Sequence, residues 1–178
     1  MPETLRKTEK IRLGCEEVYS SVNFFPTQQA LTSMSIEALQ QLYITSINYS
    51  SKGYLFRLTF EFCDNTVSPP TYSYSDEPSH TFSIPKSCVI SALHFGCDQN
   101  NILVNLRIDD STNTLAVTTI EGGWDSRKTN RLTFSEREHI VSADVEYKDE
   151  YSPQNVQFIV FREPEPEPEP EPQSDEFP

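Results

Sequence analysis

The sequence predicts an all-β domain built from three similar antiparallel units, with extended termini. Three observations indicate it: short apolar runs alternate with polar turn clusters, one strand-like segment occurs three times, and a second alternating strand follows each copy. A single unit of about four short strands cannot bury a face alone. We therefore expect the three units to close on a common interior, with alternate residues pointing inward.

Further runs of β-branched, aromatic and alternating apolar residues are predicted strands. They are GYLFRLTFEF (53–62), NILVNLRID (101–109), TLAVTTI (114–120), RLTFS (131–135) and VQFIVF (156–161). The polar segment DDSTN (109–113) predicts a hairpin connection between two of them. SIEALQQL (35–42) predicts a helix with Ser35 as its N-cap.

The repeated segment reads QLYITSINYS (41–50), SCVISALHFG (87–96) and REHIVSADVEY (137–147). The copies align on a serine that follows an apolar residue at short range, and about ten residues upstream lies another apolar residue. The serines are Ser46, Ser91 and Ser142, and the upstream residues are Ile36, Phe82 and Leu132 respectively. A small residue at the anchor suits the crowded place where three sheets meet.

Three Greek-key units with segments such as EREHIVSADVEYKDEYSPQNVQFIVF (136–161) resemble the jacalin-related lectins, and this resemblance implies a β-prism or a related β-sandwich fold. It covers roughly residues 36–162 and rests on hydrophobic pattern. The family binds sugar through a glycine near the processed N-terminus and a C-terminal G-x-x-x-D loop. This chain departs from that pattern, because FIVFRE (158–163) continues directly into a Glu-Pro tail. The resemblance therefore implies the fold and leaves sugar binding open.

The C-terminal segment EPEPEPEPEP (163–172) alternates glutamate with proline, which favours polyproline II or disorder. Residues 163–178 hold seven acidic residues and no basic one, which leaves −6 of the net charge of −13 on the rest of the chain. A chain of this charge is a poor partner for nucleic acid. We predict a polar N-terminal extension over 1–33, an all-β domain with three internal repeats over 34–162, and an acidic tail over 163–178.

The four cysteines form no C-x-x-C pair. Cys88, His94 and Cys97 occur close together in CVISALHFGC (88–97), but a zinc site normally needs four ligands in tight pairs, so we predict no metal and no cofactor. The opening MPETLRKTEK lacks an apolar export segment, and no run approaches the length of a membrane span. These features predict an intracellular protein, cytoplasmic or cytoskeletal, with reduced thiols.

The segment EGGWDSRKTN (121–130) is the best candidate for a ligand-binding site. Gly122 and Gly123 precede Trp124, the only tryptophan, and Asp125 follows it. A sugar stacks its C–H face on such a ring while a carboxylate accepts its hydroxyl groups, and protein hot spots use the same side chains. The structural alternative is that Trp124 closes the end of the β core and the glycines supply positive φ for a turn.

Two further regions are predicted to contact protein partners. Tyr72 and Tyr74 alternate with serine in the long polar loop 64–80, a composition that suits an adaptable contact surface. The tail offers negative charge to a basic surface through Glu163, Glu165, Glu167, Glu169 and Glu171.

We expect a protein that is not an enzyme, because no G-x-S-x-G, H-E-x-x-H or phosphate-cradling motif occurs. The preferred reading is a non-catalytic structural or accessory subunit of a larger intracellular assembly. The alternative is a jacalin-like carbohydrate-binding module that uses Trp124 and Asp125. A weaker third reading is a calcium-dependent membrane-surface binder, based on the oxygen-rich turns CDQNN (97–101) and DDSTN (109–113), which lack the spacing of a helix-loop-helix calcium site.

Overall fold

The structure is a computed structural model that describes residues 3–13, 24–51, 55–68, 80–99, 102–112, 114–115, 117–120, 128–147 and 153–165. These residues form twelve strands and two short helices. In chain order they are β1 (Leu5–Lys7), β2 (Ile11–Arg12), α1 (Gln28–Thr32), α2 (Ile36–Gln41), β3 (Ile44–Ser51), β4 (Leu55–Phe62), β5 (Val67–Ser68), β6 (His80–Ser83), β7 (Ile90–Cys97), β8 (Leu103–Asp110), β9 (Val117–Ile120), β10 (Lys128–Thr133), β11 (Glu138–Tyr147) and β12 (Pro153–Arg162). None of the described helices has the length and apolar character needed to cross a membrane.

The strands form three antiparallel sheets, each centred on one long hairpin. In the first sheet β12 pairs with β11 on one side and with β1 and β2 on the other. The second sheet has the order β5-β4-β3-β6, and the third has the order β10-β7-β8-β9. The predicted strands and the arrangement in three units are confirmed, as is the helix capped by Ser35, whose Oγ accepts the Ala38 N–H at 3.1 Å.

The three central hairpins carry a β-bulge at the same place, which corrects the predicted alignment by one residue. The extra residue is Thr45 in β3, Ser91 in β7 and Val141 in β11. Ser46 and Ser142 are equivalent, as predicted, but Ala92 holds their position in the third sheet and Ser91 is the bulged residue. A bulge adds one residue to a strand and interrupts the alternation of side chains, so the pattern of apolar residues alone did not locate it.

The outer strands also differ from the predicted order. Phe82 in β6 pairs with Ile47 of β3, so β6 belongs to the unit before it along the chain and not to the unit that follows. Leu132 in β10 pairs likewise with Leu93 of β7. The predicted third member, Ile36, is wrong, because it lies in α2 and is 43% exposed.

Phe25 holds the equivalent position in the first sheet. It forms an isolated bridge with Ala143 of β11, in which the Phe25 N–H donates to the Ala143 carbonyl at 3.1 Å and the Ala143 N–H donates back at 3.3 Å. The N-terminal part of the chain therefore completes the first sheet, which contains β11 and β12. The segment assigned to a polar extension over 1–33 also contains Leu5 and Ile11, which are buried in strands paired to β12.

The core lies between the three sheets, each of which contributes a phenylalanine to its centre. Phe158 of β12 packs edge-on against Phe60 of β4, with ring centroids 5.2 Å apart, and stacks near Phe95 of β7 at 6.4 Å. All three side chains are fully buried. Burial of large apolar rings from three separate sheets joins those sheets into one domain.

Candidate binding sites at the two ends of the prism

Three turns of the same geometry lie at one end of the prism, before β3, β7 and β11. In each turn a backbone N–H donates to the carbonyl three residues earlier: Leu42 to Leu39 at 3.3 Å, Cys88 to Pro85 at 2.9 Å and Glu138 to Ser135 at 3.0 Å. The turns surround a cavity of about 260 Å³, here called the axial cavity. It is lined by Gln40, Gln41, Tyr43, Ile44, Ile84, Pro85, Lys86, Cys88, Val89, Ile90, Phe134, Glu136, Arg137, Glu138, His139, Ile140 and Glu163.

The floor of the axial cavity is apolar and follows the threefold repeat. Ile44, Ile90 and Ile140 hold the same position before the bulge of their strands. Ile84 and Phe134 are also equivalent, because each follows an outer strand and each donates its N–H to the carbonyl of a bulged residue at 2.8 Å. The cavity therefore opens from the end of the hydrophobic core.

The rim of the axial cavity departs from the repeat in its charges. The turn position four residues before each of the equivalent isoleucines holds Gln40, Lys86 and Glu136 respectively. One unit thus presents a neutral amide, the next a cation and the third an anion. Lys86 and Glu136 are both exposed, and among the described residues neither takes part in an ion pair.

Glu138 is held ionised in the wall of this cavity. Burial of Glu138 opposes its ionisation, but the Arg6 guanidinium and the Ser135 backbone N–H outweigh that effect and lower its pKa. The Arg6 Nε lies 2.5 Å from Glu138 Oε2, and the Ser135 N–H donates to Oε1 at 3.0 Å. This pair also joins β1 to the start of β11.

His139 and Cys88 are held in their neutral forms beside the cavity. Burial lowers the pKa of His139, whose Nε2 lies 2.9 Å from the Leu39 carbonyl and whose ring packs against Phe161 at 5.3 Å. Burial, followed by the charge of Asp110, raises the pKa of the Cys88 thiol to about 12. Perturbed titratable groups around a concave site are a recognised feature of binding sites.

The predicted ligand-binding residues Gly122, Gly123, Trp124 and Asp125 lie outside the described residues. The strands that flank them are described. Ile120 ends β9 opposite Leu106, and β10 begins where Lys128 pairs with Cys97. Lys128 therefore lies at the end of the third sheet where β7 turns into β8, which is the end away from the axial cavity, whereas Ile120 lies about midway along β8.

Two hydrogen bonds join the described residues on either side of the β7–β8 turn. The Asp98 N–H donates to the Ile102 carbonyl at 3.0 Å, and the Ile102 N–H donates to Asp98 Oδ1 at 3.0 Å. The Ile102 side chain is 40% exposed. The hairpin therefore presents an apolar side chain and a carboxylate at the same end of the sheet as the start of β10, which follows residues 121–127.

The predicted partner-binding residues are divided between described and undescribed segments. Tyr72, Tyr74, Glu167, Glu169 and Glu171 lie outside the described residues. Glu163 lines the axial cavity, and together with Glu165 it also lines a depression of about 380 Å³ beside the exit of β12.

The start of the tail is tied to the cavity rim. The Glu163 N–H donates to the Arg137 carbonyl at 2.9 Å, and Arg137 Nη2 donates to the Pro164 carbonyl. The tail therefore starts at the axial-cavity end, which is opposite to the start of β10.

The three residues considered as metal ligands are not brought together. Cys97 ends β7, whereas Cys88 lies two residues before its start, and the strand between them spans roughly 23 Å at about 3.3 Å per residue. His94 Nε2 instead contacts Asp109 Oδ2 at 2.8 Å. Over the described residues, no group of three or more His, Cys, Asp or Glu side chains is placed to hold a metal ion.

Sequence comparison identifies no relative: no family model matches the chain, and no curated protein matches it. Solved structures do resemble it. A mannose-binding jacalin-related lectin from Ananas comosus, AcmJRL, matches with a TM-score of 0.53 and 10% identity over 90% of this chain and 100% of the lectin. Calystegia sepium agglutinin matches with a TM-score of 0.52 and 12% identity over 92% of this chain and 100% of the agglutinin.

PirB matches with a TM-score of 0.53 and 11% identity over 91% of this chain, which corresponds to 39% of the PirB chain. At these identities the likeness concerns the fold. The chain therefore has the jacalin-like β-prism fold that the sequence predicted.

Proposed function

We propose that this protein is a non-catalytic carbohydrate-binding module. The observation that carries the proposal is the extent of the structural match, which covers 90% of this chain and the whole chain of a mannose-binding lectin. Because one fold serves several functions, the proposal also depends on a site with suitable chemistry. The likeness favours this role over the accessory-subunit role that we preferred from the sequence.

The proposed sugar site is the segment Gly122, Gly123, Trp124 and Asp125. The indole would stack against the C–H face of a hexose, and the carboxylate would accept its hydroxyl groups. The segment connects two strands of a well-packed sheet, and binding residues commonly lie on loops that a rigid sheet positions. Ile102, exposed on the β7–β8 hairpin, adds apolar surface at the same end of the sheet.

The test is glycan-array screening of the full chain, followed by calorimetric titration with mannose and with the best glycan found. Trp124→Ala is expected to abolish binding, Asp125→Asn to weaken it about 10-fold or more as one charge-assisted hydrogen bond is lost, and Trp124→Phe to retain part of it. Lys86→Met, which changes a charge at the axial cavity, is the matched control and should leave binding unchanged. The proposal is wrong if no glycan binds at millimolar concentration, or if folded Trp124→Ala and Asp125→Asn bind as well as the wild type.

A further inference from the structure

The axial cavity combines an apolar floor with fixed charges of both signs. Its floor consists of Ile44, Ile84, Ile90, Phe134 and Ile140, most of which are nearly inaccessible to water in the wall of the core. Its volume of about 260 Å³ lies just below the roughly 300–1,000 Å³ typical of pockets that bind drug-sized ligands. A ligand of this site is therefore small, with an aliphatic or aromatic body.

The rim charges balance, which decides between classes of small ligand. Lys86 and Arg137 are cationic, Glu136 and Glu163 are anionic, and Glu138 is already neutralised by Arg6 at 2.5 Å. A ligand with one charge would pair with one set of side chains and be repelled by the other. A ligand with a charge of each sign can pair with both.

Two rim residues are placed to make these pairs. Lys86 and Glu136 hold the same position in adjacent units and line the cavity, and no ion pair involves either of them within the described part of the chain. Arg137 is less suited, because its Nη2 already donates to the Pro164 carbonyl, and Glu163 belongs to the start of the tail and not to one of the three repeated turns. His139 faces the Leu39 carbonyl and adds no charge.

We infer that the axial cavity binds a small apolar zwitterion of the amino-acid class, with its carboxylate at Lys86, its ammonium at Glu136 and its side chain on the isoleucine floor. This site shares no residue with the proposed sugar site: the axial cavity is formed around the turns before β3, β7 and β11, whereas the sugar site is assigned to residues 122–125, between β9 and β10. Its occupant would be recognised by charge and by apolar volume, whereas the sugar site would recognise hydroxyl groups.

The test is calorimetric titration of the full chain with L-leucine and with two analogues that keep its isobutyl group. 3-Methylbutylamine lacks the carboxylate, and 4-methylpentanoate lacks the ammonium. Leucine is expected to bind, and each analogue to bind about 10-fold more weakly or worse, the loss that accompanies one charge-assisted hydrogen bond.

Two variants assign the charges to residues. Lys86→Met should weaken leucine binding about 10-fold and abolish the preference for leucine over 3-methylbutylamine, whereas Glu136→Gln should abolish the preference over 4-methylpentanoate. Arg131→Met and Glu9→Gln, which change exposed charges outside the cavity, are matched controls with no expected effect. The inference is overturned if neither leucine nor phenylalanine binds at about 10 mM, a concentration that detects a millimolar dissociation constant, or if the analogues bind as well as leucine. It is equally overturned if both preferences survive in the variants.

Discussion

Lys10 reaches from the N-terminal segment to Glu146 of β11, with its Nζ 2.9 Å from the buried carboxylate oxygen Oε1. The Glu146 side chain is 2% exposed, whereas that of Lys10 is 42% exposed. The second oxygen of Glu146 accepts a long hydrogen bond of 3.4 Å from Asn155 Nδ2. The ion pair therefore stabilises a buried charge through a segment that sequence reasoning placed outside the domain.

Lys10→Met is expected to lower the free energy of unfolding by about 2 kcal/mol, because it leaves the Glu146 carboxylate buried without its cation. Urea-induced unfolding measures this loss. Lys10→Met combined with Glu146→Gln should recover part of it, since the buried charge is then removed as well. Lys86→Met is the control for loss of a surface lysine. An equal effect of Lys10→Met and Lys86→Met would contradict a stabilising role for the pair.

Phe158 is the residue through which the three sheets meet, and its truncation should weaken all of them together. Phe158→Leu is expected to cost about 1.5 kcal/mol, less than the roughly 3–5 kcal/mol of a phenylalanine-to-alanine change. The urea unfolding transition should move to lower concentration with an unchanged slope. Phe82→Leu, on an outer strand and only half-buried, should cost less than about 1 kcal/mol. The role assigned to Phe158 is wrong if the two variants lose the same stability.

The longer strands and the helix α2 were predictable because their signals are local, whereas α1 and the short strands β1, β2 and β5 were not predicted. Alternation of apolar residues marked β4, β8 and β12, and a serine before good helix formers marked α2. Register was not predictable in the same way. The position of a bulge is set by the hydrogen bonds of both strands. The sequence therefore does not reveal that Ser91 is the bulged residue of its strand, whereas Ser46 and Ser142 each follow a bulged residue.

The axial cavity was missed because its residues come from three turns that only the closed fold brings together. A signal for it exists once the register is known. Ile44, Ile90 and Ile140 then align, and the residues four positions earlier are Gln40, Lys86 and Glu136. Variation in charge at one repeated position, in front of an invariant apolar residue, is the pattern that would have indicated a site on the axis.

The depressed pKa of His139 predicts a pH dependence of stability. The folded-state pKa lies below the ordinary value of 6.5 because the ring is buried, so the unfolded chain takes up a proton first as the pH falls. The free energy of unfolding should therefore decline from about pH 6.5 downward, until the pH passes the folded-state pKa.

His139→Gln retains a donor for the Leu39 carbonyl and removes the titration. The difference in unfolding free energy between wild type and His139→Gln should be constant from about pH 8 to pH 7 and should change as the pH falls from about 6.5 to 5. Glu138 affects stability only at lower pH. Because its folded-state pKa is lowered, its contribution to the free energy of unfolding is lost only as the pH falls below its ordinary pKa of 4.5. A difference that stays constant across this window would contradict the burial of a neutral imidazole.

The raised pKa of Cys88 predicts that its thiol, at the edge of the axial cavity, is alkylated slowly. With its pKa raised from an ordinary value of 9.0 to about 12, the thiolate fraction of Cys88 near pH 8 falls about 1,000-fold. The greater nucleophilicity of a high-pKa thiolate offsets part of that loss, so alkylation by iodoacetamide should be roughly 50-fold slower than for an unstructured cysteine. Mass spectrometry of the Cys88 peptide measures the rate, and the same peptide labelled in denaturing urea is the internal reference. Rates within a few-fold of each other would contradict the burial of this thiol beside the Asp110 carboxylate, and with it the packing of the turn that forms one wall of the cavity.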